Sequence, residues 1–72
     1  MTLDEFTVVV QYLQSPDSEI VELGRVLGEQ MGLDIKASDN YNSWIRTTTG
    51  YARISSWRKV RSIEKIYATA IW

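Results

Sequence analysis

The sequence predicts a mainly α, small single domain of three to four helices spanning residues 1–72. Apolar residues recur at helical spacing in separate stretches, and capping residues stand at the heads of those stretches. The chain also has no Cys and no His, so it offers neither a disulfide framework nor the usual zinc ligands as a staple. At 72 residues it sits near the lower limit for folding alone, which makes dimerisation a natural aid.

The first helix is expected over 3–14. Thr2 with Glu5 forms a capping-box pattern, and Leu3, Phe6, Val9, Val10 and Leu13 share a stripe. The β-branched run Val8-Val9-Val10 also suits a strand. Ser15-Pro16-Asp17 then restarts a helix over 16–31. Ser15 is its candidate cap, and Ile20, Leu23, Leu27 and Met31 are its expected apolar face. Gly32 is placed to end that helix in a left-handed conformation, with Leu33 as the closing contact.

Gly24 and Gly28 lie inside this helix, where each costs about 1 kcal/mol relative to Ala. Close approach of another backbone would compensate, from either a dimer partner or the same domain. Residues 43–55 read either as a β-hairpin or as part of a short helix begun at Ser38 or Asp39. In the hairpin, Ile45, Thr47, Ala52 and Ile54 share one face, and Trp44, Arg46, Tyr51 and Arg53 share the other. A last helix capped by Ser55 or Ser56 runs close to Ile71, with Val60, Ile63, Tyr67, Ala70 and Ile71 inward and Arg58, Arg61 and Lys65 in an outward row.

Charge is divided along the chain. Eight Lys and Arg nearly cancel nine Asp and Glu for a net −1, yet residues 1–37 carry −5 (seven acids against Arg25 and Lys36) and residues 38–72 carry +4 (six cations against Asp39 and Glu64). Trp44, Trp57 and Trp72, with Tyr41, Tyr51 and Tyr67, fall in the basic half. Cations neutralise phosphates and aromatic faces stack on bases, so this mixture points to nucleic acid. The same residue types mark protein hot spots, which keeps an acidic protein partner open.

An enzyme is not expected. Without His or Cys, nucleophilic catalysis lacks its common base, no glycine-rich phosphate loop is present, and Asp34 with Asp39 match no calcium loop. No catalytic residue, metal or cofactor is therefore assigned. The acidic amino terminus and the lack of a spanning apolar run lead to an expectation of a cytoplasmic protein without membrane contact.

Residues Gly24 to Leu33 resemble the first half of a helix-turn-helix DNA-binding unit, with Leu27, Gly28, Met31, Gly32 and Leu33 at the corner-forming positions. The resemblance extends over 24–43, where Ser38 stands at a position the family fills with a buried aliphatic residue. It implies a recognition helix over 36–47 and a role in transcription regulation. The side chains suited to base edges there are Lys36, Ser38, Asn40, Asn42, Ser43 and Arg46.

Two functions follow as expectations. In the first, a non-enzymatic nucleic-acid-binding regulator uses Lys36, Asn40, Asn42, Arg46, Arg53, Arg58, Arg61 and Lys65. Val8, Tyr12, Gly24, Gly28, Trp44, Tyr51 and Trp72 then form a partner or homodimer surface. In the second, a protein-binding inhibitor or adaptor, of the kind phages and mobile elements encode, uses Trp, Tyr and Arg anchors.

Overall fold

In a computed structural model that describes residues 1–37, 43–54 and 60–71, three helices stand beside a three-stranded antiparallel sheet. The fold is α+β, which overturns the mainly α expectation. The order is α1 (Leu3–Leu13), α2 (Ser18–Gln30), β1 (Ile35–Ala37), β2 (Ser43–Thr47), β3 (Gly50–Arg53) and α3 (Val60–Thr69).

The capping box at the head of α1 is formed: Glu5 N donates to Thr2 Oγ1 at 3.2 Å, and Thr2 N donates to Glu5 Oε1 at 2.9 Å. The bond from the Thr2 backbone N–H favours ionised Glu5, the Thr2 hydroxyl adds to it, and together they hold the carboxyl below the usual range. The cap of α2 is Asp17 rather than Ser15. Asp17 Oδ1 accepts from Glu19 N at 2.9 Å, while Ser15 Oγ accepts from Asp17 N at 3.1 Å and so shapes the turn before the helix. At the other end Gly32 adopts φ +97°. Its N–H donates to Glu29 O and that of Leu33 to Gly28 O, the two bonds of a Schellman end, and Leu33 is buried.

The fully buried positions of α2 are Val21, Gly24 and Gly28; of the expected stripe, Leu27 and Met31 are part-buried against the core, whereas Leu23 is 46% exposed, and Val26 beside it 37%. The helix is turned because α1 approaches it more closely than a side chain allows. A Cβ on Gly24 would stand 2.8 Å from Tyr12 Cβ and 3.2 Å from the Leu13 backbone nitrogen. One on Gly28 would stand 3.1 Å from Val9 Cγ1 and would also collide with Ile35 Cδ1. These contacts run antiparallel along α1 and lie within one chain. Gly24 and Gly28 are thus consumed by internal packing, which corrects their assignment to a partner or dimer surface.

Of the two arrangements open for 43–55, the hairpin forms. Thr47 pairs with Gly50, Arg46 with Tyr51, Ile45 with Ala52 and Trp44 with Arg53. Thr47 Oγ1 donates to Gly50 O at 2.7 Å across the turn, and Gly50 takes φ +113°, a region that disfavours any other residue. β1, which the sequence reading did not anticipate, pairs on the other side of β2, with Ile35 opposite Ile45 and Lys36 opposite Trp44. Strands at 35–37 and 43–47 replace the recognition helix expected over 36–47. β-branched and aromatic residues paired across strands outweigh the local helical spacing.

One face of the sheet meets the helices. Ile35, Ile45 and Ile54 pack with Phe6, Val9, Val10 and Leu13 of α1 and Ile63 of α3. Phe6 and Tyr67 meet edge-on at 5.4 Å, fixing α3 to α1. Beyond α3 the chain joins the sheet margin: Ala70 bridges Thr47, and Ile71 N donates to Arg46 O at 3.1 Å. Among the described residues, no helix is long and apolar enough to cross a membrane.

Candidate nucleic-acid interface

The other face of the sheet holds the chemistry. Side chains alternate along a strand, so burying Ser43, Ile45 and Thr47 of β2 turns Trp44 and Arg46 outward. The same alternation brings Lys36 of β1 and Tyr51 and Arg53 of β3 to that side. The registers arrange them in two rows: Lys36, Trp44 and Arg53 in one, Asp34, Arg46 and Tyr51 in the next. Lys36, Arg46, Tyr51 and Arg53 are exposed, and Trp44 is half-buried.

These side chains are coupled. Lys36 Nζ lies 4.3 Å from the centre of the Tyr51 ring, a cation–π contact. Tyr51 Oη donates to Asp34 Oδ2 at 2.7 Å, reaching across β2, and Arg46 Nη1 lies 3.8 Å from the same oxygen. The hydrogen bond to Asp34 holds the Tyr51 phenol above its ordinary pKa; desolvation and the Asp34 charge add to this, and Arg46 opposes it. Among the described residues the face is therefore a pre-set array of three cations, two aromatic rings and one carboxylate.

Five expected site residues, Lys36, Trp44, Arg46, Tyr51 and Arg53, are thus brought together. Lys65 is not among them: it is exposed on α3, in the helical layer on the core side of the sheet. Asn40, Asn42, Arg58 and Trp72 lie outside the described residues, as do Tyr41 and Trp57, and of Arg61 only the backbone is described. Val8 is 42% exposed on α1, and Tyr12 is half-buried against Gly24.

Asp34 was missed as a member of this face. The signal was the short polar–apolar alternation Asp34-Ile35-Lys36, in which Ile35 is buried and its two neighbours lie on the other face. Compared with family models, with curated proteins and with solved structures, the chain gives no match, so its functional reading rests on its own geometry.

Proposed function

We propose that the protein is a non-enzymatic nucleic-acid-binding regulator whose contact surface is the outer face of the sheet. One observation carries this reading: Lys36, Arg46 and Arg53 are exposed on the same face as Trp44 and Tyr51. Cations within one Debye length of a phosphate attract it at physiological salt, and aromatic rings on a sheet are recurrent base platforms. The acidic residues that make the whole chain negative lie mostly on α1 and α2, in the other layer. A cytoplasmic setting accords with such a ligand.

The test is a fluorescence-anisotropy titration of labelled oligonucleotides with wild type and with the triple variant Lys36→Ala, Arg46→Ala, Arg53→Ala. All three positions are exposed, so the fold is expected to survive, and circular dichroism checks it. Binding by wild type with at least a tenfold loss in the variant is the expected outcome. Equal binding by both proteins, or none by wild type, would reject the reading. Capture of a stoichiometric acidic protein through Trp44 and Tyr51, with no oligonucleotide binding, would favour the adaptor function instead.

A further inference from the structure

We infer that the ligand of the outer sheet face is single-stranded nucleic acid, bound by stacking of its bases on Trp44 and Tyr51; this rests on the nucleic-acid reading above. The face offers Lys36, Arg46 and Arg53 against Asp34, whose carboxylate already stands 3.8 Å from Arg46. Strong salt-dependent duplex binding goes with about 6–10 neutralised phosphates, and among the described residues the face supplies three cations beside a carboxylate.

Three strands span about 10 Å between the outer strand axes before side chains are added. A duplex major groove about 12 Å wide admits a two-stranded ribbon or a helix. With its side chains added, the three-stranded face fits a duplex groove less readily than a ribbon does, and in a duplex the stacked bases offer its two rings no free face to stack on. An unpaired strand, by contrast, turns its bases toward such a platform and leaves its phosphates to the flanking cations.

Tyr51 is held from two sides, by its hydrogen bond to Asp34 and by the ammonium of Lys36 over its ring. A base arriving on Tyr51 takes the position of Lys36, which then moves from the ring to the adjoining phosphate. The lost cation–π contact is exchanged for an ion pair and a stacking contact. Trp44 stands between Lys36 and Arg53 in the neighbouring row, so a second base on Trp44 has a cation at each side.

The experiment compares three labelled probes of equal length: a mixed-sequence single strand, its duplex, and an abasic strand with the same backbone. Each is titrated against wild type, Trp44→Ala, Trp44→Phe and Tyr51→Ala, after thermal melts have shown that each variant folds. The expected result is at least tenfold tighter binding of the single strand than of either other probe. Trp44→Ala should weaken the single strand about tenfold and leave the abasic strand unchanged, with most of the affinity retained by Trp44→Phe. Tyr51→Ala, at an exposed position, gives the same readout if Trp44→Ala does not fold. Duplex binding as tight as single-strand binding, or equal losses on the abasic and base-bearing strands, overturns the inference while the broader reading stands. No binding of any probe overturns both.

Discussion

Asp34 is the residue that tempers the basic face. Its Oδ2 accepts the Tyr51 hydroxyl at 2.7 Å and draws Arg46 to 3.8 Å, so it positions one binding group and partly neutralises another. Asp34→Asn separates the two effects, because an amide oxygen still accepts from Tyr51 while the negative charge is gone. Exposed ion pairs contribute about 0.2–1 kcal/mol, so releasing Arg46 to a phosphate should tighten oligonucleotide binding about 1.5- to 5-fold. The melting temperature should change little, since Arg46 and Asp34 are both substantially exposed. Anisotropy titration measures the first effect and a melt the second. Weaker binding by Asp34→Asn would mean that the carboxylate itself contacts the ligand.

The glycines of α2 explain what sequence periodicity conveys about an element and what it does not. The start of α1 and the end of α2 followed from Thr2, Glu5 and Gly32, because caps are local chemistry, whereas the start of α2 falls at Asp17 and not at the expected Ser15. The buried face of α2 did not follow, because apolar counting gives weight only to side chains, while this helix buries the two positions that have none. The outer sheet face was likewise half-readable. Alternation within 43–54 placed Trp44, Arg46, Tyr51 and Arg53 together, but β1 is three residues long, too short to show a period, and it carries Lys36 to that face, with Asp34 just before it. The helix-turn-helix resemblance drew on residues at a Schellman helix end, and such an end serves equally well before a strand. Gly24→Ala tests the close approach. The obstructing atoms are Tyr12 Cβ and the Leu13 backbone nitrogen, which move only if α1 moves. Overpacking costs about 1–3 kcal/mol, against a propensity gain near 1 kcal/mol, so net destabilisation is expected. At Gly28 the nearest atom is the flexible end of Ile35, so Gly28→Ala should be the milder change. Urea unfolding of both variants decides it; a Gly24→Ala protein more stable than wild type would show that the helices have room to part.

The two layers of the molecule also separate its charge. Asp4, Glu5, Glu19, Glu22 and Glu29 are exposed on the helices, where Arg25 is paired with Glu22 and Glu29, and Lys36, Arg46 and Arg53 are exposed on the sheet, where Arg46 lies near Asp34. A polyanion approaching the helical layer is repelled and one approaching the sheet is attracted, so a net charge of −1 does not prevent binding and orients the encounter. Salt dependence follows from the number of phosphates neutralised rather than from net charge. With three cations on the face and a single-stranded ligand releasing about 0.7 counterion per contact, log affinity should fall against log salt with a slope near −2. Raising salt from 50 to 200 mM should therefore cost about 20-fold. Changing one of the three cations to Ala should reduce the slope by about 0.7, and Trp44→Ala should lower affinity at every salt concentration with the slope unchanged. A slope steeper than about −5 would require cations beyond the sheet face and would move the main contact to another surface, such as that of Lys65 on α3. A slope near zero would mean that the face does not meet phosphate at all.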